Sequence, residues 1–276
     1  MKKILVPTDR SENAKHALNY ALNLFSGEEI EFILFQSFDV PTYTADMPMP
    51  IDVIGAEELN RILAEDAETL KEEYKNSNFS FSTVVEHGSL TLNIEDLVEK
   101  LGIDLVVMGT KGASGLAAAI IGSNTSDVIQ AATCSVLAVP ESADVSALPK
   151  QILFASDNKG LSDSEVIAPL VFLAKKFNSH IHLMNVLDEG KMTSVDEAVA
   201  GLNLDHLLEE VEHTFHFENS NDKAHAIEEY LNTHNIDMLA VIPRKNNFFD
   251  AIFHRSVTRK LTLHTKVPLL AMHDLG

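Results

Sequence analysis

Short apolar runs alternate with segments of helical period along the whole chain. In the first half the runs predict strands over 2–6, 30–37, 79–86, 104–108 and 135–139. Between them, spacing at three and four residues predicts helices over 12–25, 55–75, 91–101 and 123–132. The second half repeats the alternation, with strands expected near 150–155, 180–187, 213–218, 237–242 and 267–272. Ile4-Leu5-Val6 and Leu105-Val106-Val107-Met108 are continuous rather than alternating, as strands buried on both faces should be. Five such strands separated by helices predict an α/β fold in each half, a parallel sheet covered on both faces.

The two halves are diverged copies. Ile4-Leu5-Val6-Pro7-Thr8-Asp9 is echoed by Ile152-Leu153-Phe154-Ala155-Ser156-Asp157 at an offset of 148. Gly102-Ile103-Asp104-Leu105-Val106-Val107 is echoed by Asn235-Ile236-Asp237-Met238-Leu239-Ala240 at an offset of 133. The 15-residue loss in the second copy therefore falls between its second and third strands. A boundary in the stretch Ala147-Leu148-Pro149 divides the chain into domains at 1–145 and 149–276.

Bulk composition narrows the partners. The 276 residues carry 41 acidic and 21 basic side chains, a formal charge of −20, which repels nucleic acid and anionic membrane surfaces. It also opposes a free polyanion, so a nucleotide site here calls for local donors and a divalent cation such as Mg2+. No apolar stretch reaches membrane-spanning length, and the N-terminus lacks the pattern of a secretory signal, so a cytoplasmic protein is expected. The single cysteine, Cys134, excludes an internal disulfide and sits in an apolar run that predicts a packing role.

Candidate chemistry concentrates after the fourth strand of the first copy. In open α/β sheets, ligands sit beyond the carboxyl ends of strands where strand order reverses. The first strand ends in Pro7-Thr8-Asp9. The fourth ends in Met108-Gly109-Thr110-Lys111-Gly112, and nine residues later Gly122-Ser123-Asn124-Thr125 opens a helix. The glycines let backbone approach an anion and take positive φ where needed. The helix start offers free N–H groups and the positive end of its dipole, and Ser123 and Thr125 add hydroxyls. Neither a Walker A sequence nor GxGxxG is present, which excludes a P-loop NTPase and a typical NAD domain.

Gly109-x-x-Gly112-(nine residues)-Gly122-Ser123 resembles the ATP-binding signature of the universal stress protein family. The opening Ile4-Leu5-Val6-Pro7-Thr8-Asp9 with Ser11 and the closing Cys134-Ser135-Val136-Leu137-Ala138-Val139 resemble that family too, although it usually has Pro where Ser135 stands. The resemblance implies two tandem five-stranded α/β sandwich domains, Rossmann-like and of the adenine nucleotide alpha hydrolase type, with strand order 3-2-1-4-5. It implies ATP as ligand, with Asp9 and the backbone near Val40 on adenine and ribose. Pro7, Thr8 and Met108 would line the same crevice, while Gly109, Lys111, Gly112, Gly122, Ser123, Asn124 and Thr125 would hold the phosphates. The Met/Pro-rich loop over about 39–54 would serve as a lid. Single-domain members commonly pair through their last strands. A tandem chain can satisfy that contact internally, Val136–Val139 against Val267–Met272, as a pseudo-dimer, with further homodimerisation left open.

In the second copy, Gly109, Gly112 and Gly122 become Ile242, Lys245 and Arg255, while Ser256 and Thr258 stand where Ser123 and Thr125 do. Side chains fill the phosphate space, and Ile242 resists the backbone a glycine allows. Arg244, Lys245, Arg255, Arg259 and Lys260 gather there, either as a site for a smaller anion, an acidic partner or the other half, or as a solvated basic face. Ten of the twelve histidines lie in this half, with His180 and His182 on one strand face as a candidate metal pair. His213 and His216 do not share a face, and no cysteine or acid cluster completes a ligand set.

The expected function is thus an ATP-binding stress-response or regulatory protein with one nucleotide site, in the first half. A slow ATPase or phosphotransferase using Lys111 and Ser123 is the enzymatic alternative. An interaction scaffold indifferent to nucleotide is the third.

Overall fold

The computed structural model describes residues 2–38, 55–110, 121–157, 160–187, 195–244 and 266–274. The first half runs β1 (Lys3–Pro7), α1 (Glu12–Leu24), β2 (Ile30–Phe38), α2 (Ala56–Glu73), β3 (Phe79–His87), α3 (Leu90–Leu101), β4 (Leu105–Gly109), α4 (Ser123–Ala131) and β5 (Ser135–Val139). The second runs β6 (Gln151–Ser156), a 3-10 turn (Ser164–Ile167), α5 (Ala168–Phe177), β7 (His180–Leu187), α6 (Val195–Leu207), β8 (His213–Asn219), α7 (Lys223–Thr233), β9 (Met238–Val241) and β10 (Leu269–Ala271).

All ten strands form one sheet in the order β3-β2-β1-β4-β5-β10-β9-β6-β7-β8. Each half thus has the order 3-2-1-4-5, every neighbouring pair within it parallel. The reversal of strand order falls at β1–β4 in the first half and at β6–β9 in the second. Parallel strands need crossover helices, which cover both faces and account for the unbroken apolar runs. Buried cores lie on both sides of the sheet, one including Phe32 and Leu63, the other Ile94 and Val128.

The repeat extends to small details. Asp104 Oδ2 accepts from the backbone N–H of Lys2 and Lys3, and Asp237 Oδ2 accepts from those of Lys150 and Gln151. Gly102 and Asn235 hold the same left-handed position, at φ 64° and 48°. Glycine and asparagine are the residues that tolerate it, and Gly102 ends α3 there.

The halves join through β5 with β10, the one antiparallel pairing among the described residues, in the register Val136↔Ala271, Leu137↔Leu270 and Ala138↔Leu269. This is the contact expected between the closing runs. Phe25 stacks on Phe172 with ring centroids 6.2 Å apart, Lys176 bridges to Glu28 at 2.6 Å, and His273 Nε2 lies 2.5 Å from the carbonyl of Ile129. No described helix is long and apolar enough to cross a membrane.

Candidate functional site

The crevice at β1–β4 is assembled from four strand ends. The turn after β1 is held by Thr8 N–H donating to Phe35 O at 2.8 Å and Arg10 N–H donating to Thr8 Oγ1 at 3.0 Å. Asp9 Oδ1 accepts from Ser11 N–H at 3.0 Å, and Ser11 Oγ caps α1 by accepting from Ala14 N–H at 3.2 Å. On the other side, Gly122 N–H donates to Thr110 O at 2.6 Å, and Thr125 Oγ1 donates to Gly109 O at 2.9 Å. These two bonds tie the start of α4 to the end of β4.

Gly122 is the N-cap of α4, so no side chain occupies the first N–H groups of that helix. Those donors and the helix dipole face the crevice, the arrangement that favours an anion. Gly109 is required by space. A Cβ there would lie 3.0 Å from Asn13 O and 3.2 Å from Asn13 C, where α1 crosses β4. Of the two freedoms a glycine offers, Gly109 uses close approach rather than positive φ. Gly109 is not in that region, Gly122 has φ −65°, and the glycine demand at Gly109 comes from the approach of α1. Ile242 is likewise outside the positive-φ region, so its effect in the second half is one of volume.

The cavity has a volume of about 620 Å³. Pro7, Thr8, Asp9, Met108, Gly109, Gly122, Ser123, Asn124 and Thr125 all line it. Val40, Lys111 and Gly112, with the loop at 39–54, lie outside the described residues. Sequence reading missed the far wall, formed by Gln36, Ser37 and Phe38 at the end of β2 and by Gly88, Ser89, Leu90 and Thr91 after β3. Gly88, at φ 109°, was the one local signal of that turn. Asp127, one helical turn into α4, adds a second carboxylate besides Asp9.

At the second switch point the described side chains bond to one another. A small cavity of about 20 Å³ there is lined by Ser156, Asp157 and Lys223 among others. Arg244 fills the place where strand order reverses. Its Nη1 donates to Asp157 Oδ1 at 3.0 Å, and its Nη2 to Asp274 Oδ2 at 2.7 Å and Gly160 O at 2.8 Å. Asp157 stands where Asp9 does, so the guanidinium takes up the carboxylate that would otherwise face a ligand. Arg244 is therefore neither a solvated cation nor a free anion site. Its side chain is 14% exposed. Burial pushes the Asp274 carboxyl up, but hydrogen bonds from Ser162 and Arg244 outweigh that and hold it below its ordinary value. Lys245, Arg255, Ser256, Thr258, Arg259 and Lys260 lie outside the described residues.

His180 and His182 do share a face, with ring centroids 4.8 Å apart. Both ring nitrogens of His182 are engaged, by Tyr230 Oη at 2.9 Å and Gln151 Oε1 at 2.7 Å. Among the described residues no group of three or more His, Cys, Asp or Glu is arranged to hold a metal.

A sequence model of the universal stress protein family matches residues 1–140 and again 149–273. The chain belongs to the universal stress protein family. Its two copies are tandem members of that family. Universal stress protein Sll1388 of Synechocystis is 31% identical over 148 residues, which span 50% of this chain and 96% of that protein. Universal stress protein MJ0531 of Methanocaldococcus jannaschii is 32% identical over 143 residues, 50% of this chain and 81% of that one. Among solved structures, a universal stress protein from Archaeoglobus fulgidus aligns with 99% of this chain and 96% of its own at a TM-score of 0.69 and 17% identity, a likeness of fold.

Proposed function

We propose that this universal stress protein is a regulatory ATP-binding protein of the cytoplasm with a single nucleotide site, in a first domain spanning 1–145. The observation that carries the reading is the open crevice of about 620 Å³ at the first switch point, set against a second switch point where Arg244 is bonded between Asp157 and Asp274. The first ends on an uncapped helix start, and at the second Arg244 engages the carboxylate that stands where Asp9 does. The residues present fit a nucleotide: Gly122 leaves the start of α4 without a side-chain cap, and Ser123, Asn124 and Thr125 line the cavity beside those N–H groups. Asp9 and Asp127 supply carboxylates for a Mg2+ carried in with the phosphates.

The second domain, 149–276, keeps the fold and serves as a pairing surface through β5 and β10. Binding without efficient turnover is the reading taken, because the loop motif in the sequence carries no nucleophile–base pair. The test is mass spectrometry of whatever co-purifies, followed by titration with ATP, ADP and AMP with and without magnesium. One nucleotide per chain supports the reading. Failure of all three to bind at millimolar concentration overturns it, and steady phosphate release on binding would favour the ATPase alternative.

A further inference from the structure

The histidines on β7 belong to a larger cluster, outside the nucleotide crevice. On the sheet face covered by α7, His180 and His182 of β7, His216 of β8 and His234 at the end of α7 stand around Tyr230. Ring centroids lie 4.8 Å apart for His180 and His182, 5.3 Å for His182 and His216, and 6.4 Å for His216 and His234. Tyr230 stacks on His234 at 3.8 Å. The internal repeat shows what these rings replace. By strand register His182 stands where Ile33 does, and His216 where Val84 does. At the offset of 133, Tyr230 and His234 take the places of Leu97 and Leu101. Those four apolar residues pack in one core of the first domain. A hydrocarbon layer in one copy is thus a layer of three imidazoles and a phenol in the other.

The bonds within the cluster suit uncharged rings. With its proton on Nε2, His182 donates to Gln151 Oε1 at 2.7 Å and accepts from Tyr230 Oη at 2.9 Å. Thr214 Oγ1 bridges His180 Nε2 at 2.9 Å and His216 Nε2 at 2.8 Å. A hydroxyl has one proton to give, so the bridge needs one bare ring nitrogen, and charging both rings removes it. Gln151 of β6 and Thr214 of β8 bring no charge. The carboxylates at the rim are Glu212, 3.5 Å from His180 Nδ1, and Glu218, beside His216 and Tyr230. Burial, followed by the neighbouring imidazoles, pushes His182 down to about 4 and holds His216 below its ordinary value.

We propose that this cluster is a proton-operated latch: uncharged, it holds β8 and the end of α7 against β7, and on acidification that edge of the second domain opens while the first domain stays closed. β8 ends the sheet and pairs with β7 alone among the described residues, so it can part without breaking a second pairing. The sign follows from the lowered affinity of the packed rings for protons. Opening takes up protons below about pH 6.5, the ordinary value for histidine, and is independent of pH above it. Each ring that gains its proton only on opening adds up to about tenfold per pH unit to the opening equilibrium, so two acting together exceed the tenfold limit of one.

The test is hydrogen exchange of the full chain read by mass spectrometry between pH 7.5 and 5, corrected for intrinsic exchange rates. Peptides from β8 and α7 should lose protection below about pH 6.5, the opening constant rising by more than about tenfold per pH unit, while β3 and α3 hold theirs. Giving the cluster the first domain's residues, His182→Ile with His216→Val and His234→Leu, should remove the pH dependence. His216→Gln, the milder variant should the triple one not fold, should lower the slope by up to about tenfold per pH unit. Protection at β8 and α7 that is unchanged down to pH 5 overturns the proposal. So does an equal loss in β3 and α3, or the parent's slope in either folded variant.

Discussion

Arg244→Met tests the account of the ion-paired second switch point most directly. The substitution keeps most of the aliphatic stem and removes the guanidinium, and with it three hydrogen bonds of 2.7 to 3.0 Å. Two carboxylates that shared one cation are left facing each other, Asp157 at 16% and Asp274 at 7% side-chain exposure. At an effective dielectric of about 20, each ionic contact at these distances is worth about 5–6 kcal/mol before desolvation is subtracted. Breaking a fully buried pair costs about 3–5 kcal/mol. These groups retain some water, and Asp274 keeps its bonds from Ser162, so the expected loss is about 2–4 kcal/mol.

Urea unfolding followed by far-ultraviolet circular dichroism measures it, since the chain has no Trp. With a slope of about 1–3 kcal/mol per molar urea, the midpoint should fall by about 1 M or more. The triple variant Arg244→Met, Asp157→Asn, Asp274→Asn removes the stranded charges and should recover most of the loss. A shift below about 0.5 kcal/mol for Arg244→Met, or a triple variant no more stable than the single one, would refute the idea that Arg244 neutralises these carboxylates.

Gly109→Ala should lower Tm and weaken nucleotide binding by about tenfold, because its methyl meets the backbone of Asn13 and overpacking costs about 1–3 kcal/mol. Unchanged binding and Tm would show that α1 yields without effect. Burial, followed by the charges of His180, His216 and His234, pushes His182 down to about 4, so the folded state binds protons less readily than the unfolded chain. Its contribution is complete above about pH 6.5 and is lost as pH falls towards 4, so His182→Gln should flatten the acid loss of stability; parallel pH profiles for parent and variant would contradict this. Burial pushes the Cys134 thiol up to about 12, so it should react with a thiol reagent at pH 8 only after urea unfolds the chain. A rapid stoichiometric reaction of the folded protein would count against that burial.

The elements and the crevice were legible because both rest on local pattern. An apolar run such as Leu105–Met108 names a buried strand by itself, and a glycine before Ser123 marks a helix start wherever it stands. The near wall of the cavity followed from two strand ends named in advance, and all nine of the expected site residues that can be located line it. The far wall did not follow, because Gln36–Phe38 and Gly88–Thr91 meet only through the register of β2 on β3, which runs from Ile30↔Phe79 to Phe38↔His87. No local spacing encodes that register.

Long-range partnership also decides the second half. The replacements of glycine there predict loss of a phosphate loop, but they do not say what occupies the vacated place. Arg244 reads as one more cation in a basic stretch until Asp157, 87 residues earlier, and Asp274, 30 later, are brought to it. The two carboxylates arrive from opposite directions, one at the end of β6 and one just past β10. Replacing Arg244 leaves two carboxylates without their cation, whereas replacing either aspartate leaves a neutral pair, so the guanidinium is the member of the trio that the other two require. The preceding residue, His273, touches Ile129 in the helix whose first turn lines the open crevice. The short stretch after β10 therefore carries both a partner of Arg244 and a contact to α4.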